Sequence, residues 1–527
     1  MAKMSMLTTT RTTPGDDDSA RPPSLRERFV PPMPGSRLWG WLGPLIVTVF
    51  AGLLRFDRLG NPHAVVFDET YYAKDAAALL KFGVEHTTVD NADKLLLQGN
   101  MNIWTDSGSF IVHPQVGKWM IAVGEYFFGV TPFGWRFSAA VVGTLAVLLI
   151  ARIARRMTRS TLLGCVAGLL LALDGLEFVQ SRAALLDIFL MFWILAAFGC
   201  LVIDRDRARA RLATVVTPSL LQGAGPWLGV RWWRVLAGVC LGLACGVKWD
   251  GVYYVVAFGL LTVFWDLGAR RAAGVRRWFD GWVFRDAVPA FISIVPVALV
   301  VYVASWWSWF RTGIGWDRHW AAHRPSAFGW IPDPLRSLWH YHADILTFHT
   351  HLHDSHPYMS QPWQWLLLIR PVAYFYTDQK YGEMGCQAQK CSRAILAQGT
   401  PAIWWVALLA LVVMVVWWLM YRDWRAGAVV LGVAAAILPW FLFPSRTMFF
   451  FYALPALPFL VLALTLMLGL LIGRESASPA RRAIGSSLAG AYVLMVIINF
   501  GWMYPVFVAE VIPYTKWASR MWFDSWI

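Results

Sequence analysis

Val66-Phe67-Asp68-Glu69-Thr70-Tyr71-Tyr72 lies just after the first long apolar run, 38–56, and its reading decides the fold. A segment long enough to cross a bilayer ends here, and two adjacent carboxylates open a new helix, Thr70 to about Lys81, which Gly83 stops. Asp68 on its own reads as an N-cap, its side chain satisfying free backbone donors of that helix. The same position keeps a carboxylate ionised through the helix dipole, as a base that takes a proton from a hydroxyl requires. Residue type alone favours the cap. The remainder of the chain favours the base.

The composition around this stretch is that of a membrane protein. Of 527 residues 57% are hydrophobic and 32 are Trp, and the mean hydropathy is +0.50. The formal charge of +14 would suit a nucleic-acid partner, but the basic residues are dealt out in short clusters between apolar runs. That is the pattern of cytoplasmic loops, and it excludes nucleic acid. Residues 1–37 are polar and rich in Pro, Ser, Thr and charge; they read as a disordered cytoplasmic tail, with no cleavable signal.

Eleven apolar runs follow one another, at about 38–56, 134–151, 161–176, 184–203, 234–247, 252–267, 287–305, 402–420, 426–443, 447–472 and 485–505. Every even-numbered run ends in arginines, among them Arg152, Arg205, Arg270, Arg422 and Arg474. Those ends face the cytoplasm, which puts the N-terminus inside and the C-terminus outside. The expectation is an all-α polytopic protein of the plasma membrane, with about eleven membrane helices in one catalytic domain, 38–505, and an outer tail, 506–527. Two long aromatic-rich segments, 57–133 and 306–401, fall on the outer side and read as short helices lying in the interface. No internal repeat is visible, which weakens a transporter built from paired halves.

Residues able to carry chemistry gather in the outer segments. In Val112-His113-Pro114-Gln115-Val116-Gly117-Lys118, the lysine stands near a helix start, as a snorkelling anchor or as a cation for an anionic headgroup. Arg136, at the head of the second run, is an anchor or a functional charge. Arg182 and Asp187 border a short outer turn and suit an ion pair between two helices as well as a functional role. Lys248 and Asp250, flanking Trp249, read as a structural pair, with phosphate or sugar contact as the alternative. The segment His349-Thr350-His351-Leu352-His353-Asp354, taken as extended, offers either divalent-metal ligands or hydrogen-bond donors to a phosphate. Donors are favoured because the closed zinc pattern is missing. Arg446, in Phe443-Pro444-Ser445-Arg446-Thr447, would complete with Lys118, Arg136 and Arg182 a cationic ring around an anionic lipid head. Cys386 and Cys391 share a polar outer loop that suits a local disulfide better than zinc. Cys165, Cys200, Cys240 and Cys245 sit in apolar runs as packing residues.

FDETYYAKDA from Phe67, HPQVGK from His113, SRAALLD from Ser181, FHTHLHDSHPYMSQPWQWLLLIRPVAYFY from Phe348 and SRTMFFFYALPALPF from Ser445 occur in that order. Together they resemble the protein O-mannosyltransferase family of the bacterial, actinobacterial kind, over nearly the whole chain outside the leader and the basic loops. The resemblance implies a GT-C type membrane glycosyltransferase. It would move mannose from polyprenyl-phosphate-mannose to Ser or Thr hydroxyls of unfolded secretory polypeptides on the outer side, with the secretion translocon as a further partner. It implies Asp68 as the catalytic carboxylate with Glu69 beside it, and Arg136 as the arginine heading the second membrane helix. Around the donor's phosphate and sugar the expected residues are His113, Lys118, Arg136, Arg182, Asp187, His349, His351 and Arg446. Should a divalent cation (Mg or Mn) take part, its candidate ligands are His349, His351, His353 and Asp354. The second outer segment is too short for the MIR domain of the eukaryotic members.

Elementary chemistry fits that expectation. A sugar that leaves as a lipid phosphate needs no general acid, because the leaving group is already a weak base. It needs positive charge on the phosphate and one base on the incoming hydroxyl. The two contrasting carboxylates of a glycosidase are not required. Direct attack inverts the anomeric centre. A relative acting on a lipid or cell-wall glycan would differ only in its acceptor. A lipid or solute transporter would carry polar or broken spans near midplane, whereas the charges here gather at helix ends.

Overall fold

Apolar runs become helices in a bilayer because lipid offers no partner for backbone N–H and C=O groups. The computed structural model describes residues 24–33, 35–474 and 476–527, and among them nine helices are long and apolar enough to cross a membrane. The chain is a multi-pass membrane protein. Pro132–Thr158 and Asp187–Val215, with 27 and 29 residues, reach about 40 Å at 1.5 Å per residue. Two of the eleven expected spans are present as shorter apolar helices, Thr161–Ala172 and Trp232–Val247. The first stops because Asp174 turns the chain. Its carboxylate accepts the backbone N–H of Leu176 and Glu177 at 3.0 and 3.1 Å and caps a separate helix, Gly175–Gln180.

Burial ranks the spans from centre to rim. The apolar stretches of Asp187–Val215 and Phe450–Ile472 are each 72% buried by protein, against 17% for Trp278–Ala304, which leaves most of its surface to lipid. Each long helix has one end in a layer around Asp68 and the other in an arginine-rich layer. In the latter, Arg156 and Arg159 share Asp206 at 3.0 and 2.9 Å, and Arg231 bridges Asp204 and Asp266. The reading of 1–37 as a disordered tail needs correction where it can be checked. Ser24 caps a helical turn, Leu25–Phe29, and Phe29 is buried against Leu212, Leu228 and Ala269. Residues 1–23 and 34 lie outside the described residues.

The layer around Asp68 holds strands as well as the expected short helices. Segment 57–133 carries the helices Glu69–Phe82, Ala92–Leu97 and Val116–Phe128, and an antiparallel pair, His86–Thr88 with Trp104–Gly108. Segment 306–401 carries the helix Asp333–His351 and a hairpin, Val372–Lys380 with Lys390–Ala397, in register from Val372↔Ala397 to Lys380↔Lys390. A bulge falls between Ala373 and Phe375. Cys386 and Cys391 are joined near the tip, Cα atoms 5.9 Å apart, and the other four cysteines are free. Residues 506–527 pack onto this hairpin: Ile512–Pro513 adds a third strand beside Ser392 and Cys391, and Trp526 is buried. The strictly all-α expectation is therefore amended by two small sheets.

Candidate active site

Glu69–Phe82 buries Tyr72, Ala73, Ala76 and Leu79 along one face and ends where Gly83 takes a left-handed conformation, φ +79°. Its start differs from the cap reading. Asp68 occupies the N-cap position, yet its side chain accepts no cap hydrogen bond. Phe67 before it also has a left-handed backbone, φ +46°, which costs a non-glycine residue of order 1–3 kcal/mol and persists only where its surroundings impose it. They do so through an aromatic cage. The Phe67 ring stacks on Tyr374 at 4.8 Å and meets Phe451 and Phe449 edge-on at 5.7 and 6.0 Å. Tyr374 stands at the hairpin bulge, a device that re-aims side chains beside functional sites.

Next to this cage is a cavity of about 560 Å³ whose wall includes His113, Lys248, Trp249, His349, Arg446 and Tyr452. Asp68 adjoins it through its neighbours: Lys248 Nζ lies 5.8 Å from the ring of Phe451, on which Phe67 packs, and Tyr72 meets His113 at 6.5 Å. Burial pushes the Asp68 carboxyl up to about 6; the charge of Lys248 opposes the rise and that of Asp187 adds to it. Lys248 Nζ binds both oxygens of Asp187 at 2.9 Å. The ion pair expected between Arg182 and Asp187 is thus replaced by Lys248–Asp187, and Asp187 holds the lysine rather than touching the cavity.

Arg446 lies over the rings of Trp440 and Tyr452 at 5.4 and 5.6 Å, and its hydrogen bonds go to His349 alone. Its Nε donates to the carbonyl of His349 at 3.2 Å and its Nη2 to His349 Nδ1 at 3.1 Å, while Nη1 is buried without a partner. His349 Nε2 donates to the carbonyl of Val112 at 2.8 Å, which leaves Nδ1 as the acceptor that Arg446 uses. Burial lowers His349 to about 4, and the nearby charges of Arg446 and Lys248 add to the effect, so the ring is neutral at pH 7. His113, its ring tilted by 32° against that of His349 at 5.2 Å, is pushed well down by burial and by the same cations. His349 is therefore not a phosphate donor. It orients Arg446.

Four other sequence candidates have their charged groups engaged within the protein. Glu69 is fully buried: Oε1 accepts Arg136 Nε at 2.7 Å and the N–H of Ala184 at 3.1 Å, and Oε2 accepts Arg136 Nη2 at 2.9 Å and the N–H of Val66 at 3.0 Å. The remaining N–H groups of Arg136 go to the carbonyls of Leu59, Pro62 and Ala64, so neither side chain has capacity left for a substrate. Lys118, 1% exposed, is shared by Asp75 at 3.1 Å and Glu85 at 3.0 Å. Arg182 Nη1 binds the carbonyls of Arg55 and Asp57, each at 2.7 Å, tying the end of Trp39–Phe56. The expected ring of four cations reduces to Arg446, and Lys248 joins it.

Residues 45–310 match the family model described as dolichyl-phosphate-mannose-protein mannosyltransferase, and residues 334–526 match that of the C-terminal four TMM region of protein-O-mannosyltransferase. A polyprenol-phosphate-mannose–protein mannosyltransferase of Mycolicibacterium smegmatis is 42% identical over 510 residues, covering 94% of each chain. The chain belongs to the protein O-mannosyltransferase family. As a protein O-mannosyltransferase it is a membrane glycosyltransferase, and a Corynebacterium glutamicum relative of the same name is 36% identical over 97% of this chain and 98% of its own. The fold agrees. The Saccharomyces cerevisiae protein O-mannosyltransferase Pmt1–Pmt2 complex bound to the sugar donor aligns with a TM-score of 0.71 at 15% identity, over 94% of this chain and 93% of that one. The architecture is thus of the GT-C type.

In this protein O-mannosyltransferase the metal reading of the histidine segment fails on geometry. His349 and His351 belong to the last turn of Asp333–His351, where residues two apart diverge by about 200° instead of pointing alike. His351 is exposed, with Nδ1 on the carbonyl of Thr347 at 2.8 Å, and His353 Nδ1 is on the carbonyl of Ser445 at 3.0 Å. Asp354 accepts Thr447 Oγ1 through its backbone carbonyl. The sequence reading gives Lys248 a structural pairing with Asp250 first and a phosphate or sugar contact second. The clue available was a lysine opening an outer turn between two apolar runs, beside Trp249.

Proposed function

We propose that this chain transfers mannose from polyprenyl-phosphate-mannose to Ser or Thr hydroxyls of polypeptides. One observation carries the reading: a buried Arg446 Nη1 without a partner, on the wall of a largely apolar cavity that also holds Lys248, next to the half-buried Asp68. The two cations suit a lipid phosphate, and the aromatic and aliphatic lining suits the first units of a prenyl chain. The acceptor oxygen attacks the anomeric carbon, the carbon–oxygen bond to phosphate breaks, and the lipid phosphate leaves as an anion against Lys248 and Arg446. Asp68 takes the hydroxyl proton late, as the new bond forms. In our assignment the Asp68 layer faces outward from a plasma membrane and the arginine-rich layer faces the cytoplasm. Unfolded chains emerging from the secretion translocon are the acceptors.

The experiment supplies purified protein with labelled polyprenyl-phosphate-mannose and, in competition, a Ser/Thr-rich peptide and a glycolipid. Label is expected in the peptide; label in the glycolipid alone would assign the chain to a lipid- or glycan-modifying relative. Two further outcomes follow from the site. The transferring form has Asp68 ionised, so the rate is expected to fall about tenfold per pH unit below about 6 and to level off above it. A rate unchanged down to pH 4 would remove Asp68 as the titrating base. His349→Ala releases Arg446 from two of its contacts, and the donor KM is expected to rise on the order of 10-fold, with kcat affected less. An unchanged KM would mean that Arg446 needs no such support.

A further inference from the structure

Asp317, His340 and Asp344 form a cluster on the Asp68 side that the mechanism above does not use. His340 and Asp344 stand four residues apart on Asp333–His351 and so share a helix face; Asp317 comes from the loop before that helix. His340 Nε2 is 3.4 Å from Asp317 Oδ2 and 3.3 Å from Asp344 Oδ2, and the three ligand atoms lie within 4.8 Å of one another. Ligands held about 2.0–2.1 Å from a tetrahedral ion are separated by about 3.3–3.4 Å, so two edges of such a site already exist. Octahedral Mg²⁺ with similar bond lengths would draw neighbouring ligands to about 3.0 Å.

The charges point the same way. Among the described residues, neither carboxylate is paired with a lysine or arginine, and each has the His340 ring as its neighbour. The arginines nearby in sequence are engaged elsewhere: Arg318 donates to the carbonyls of Trp309 and Phe310, and Arg336 pairs with Asp333. The His340 ring is fixed by stacking on Trp320 at 3.9 Å and 19°. Two carboxylates and one imidazole, set on two separate pieces of chain with their atoms converging, are a mixed oxygen–nitrogen donor set rather than an acidic surface.

We propose that Asp317, His340 and Asp344 bind one Zn²⁺ ion, with water in the fourth position. The ion staples the loop 312–332 to the helix that puts His342, His349 and Thr350 on the cavity wall. Its role is to stiffen that wall. The inference is independent of the proposed reaction, and its test reads binding and stability instead of transfer.

The full-length chain, purified in detergent and stripped with EDTA, is titrated with Zn²⁺ and separately with Mg²⁺ by calorimetry, and its thermal unfolding is followed in parallel. One Zn²⁺ per chain, a rise in Tm, and weaker binding of Mg²⁺ are expected. In the Asp317→Asn/Asp344→Asn variant the affinity for Zn²⁺ is expected to fall by at least ~10-fold and the Tm rise to disappear. His340→Gln should do the same, and serves if the double variant does not fold. Absence of Zn²⁺ binding, equal binding by the variants, or a preference for Mg²⁺ would overturn the site and leave a histidine set between two carboxylates as a packing contact.

Discussion

Asp68→Asn is expected to lower mannosyl transfer by on the order of 10²–10⁴-fold while donor binding and the fold survive. Asparagine keeps the shape of the side chain and removes its basicity. No cap hydrogen bond depends on the carboxylate, and the turn that carries it is held by Phe67 in its cage of Tyr374, Phe449 and Phe451. The cations that would grip the phosphate are untouched by the change. Donor binding by the purified variant, measured beside its turnover, separates the two effects. Normal turnover would refute Asp68 as the base.

The neighbouring residue should behave in the opposite way. Glu69→Ala leaves Arg136, 1% exposed, as a buried charge without its partner, and removing one member of a buried ion pair costs of order 3–5 kcal/mol. The expected result is a poor yield of folded protein and a clear fall in Tm, with activity lost in proportion to folded protein. Arg136→Met should fail similarly, because it also frees the carbonyls of Leu59, Pro62 and Ala64 that the guanidinium gathers. Purified Glu69→Ala with an unchanged Tm but no turnover would show that Glu69 takes part in the chemistry.

This contrast marks the limit of what could be read in the chain. The apolar runs and their arginine ends were legible because lipid imposes backbone-satisfied helices of set length, whereas the helices Pro132–Thr158 and Asp187–Val215 run on past the predicted edges at 151 and 203 into their arginine-rich ends. The acidic pair was legible as a helix start. Its division of labour was not, because Glu69 meets Arg136 across 67 residues of sequence and only the fold brings them together. The same holds for Lys248 and Asp187, 61 residues apart. The histidine segment misled for a local reason: alternation suggests an extended chain, but the helix that starts at Asp333 runs on through His351. The hairpin at 372–397 did leave a trace, an aromatic and β-branched run before Gly382 and Gly385. That trace is ambiguous, because an interfacial helix explains aromatic richness equally well.

Single displacement by a hydroxyl that Asp68 activates is tested most directly by the anomeric configuration of the glycopeptide product, read by NMR against that of the polyprenyl-phosphate-mannose supplied. Inversion is expected, because one attack opposite the departing phosphate reverses the centre once. Retention would require a glycosyl-enzyme intermediate on a protein carboxylate and would contradict the role assigned to Asp68.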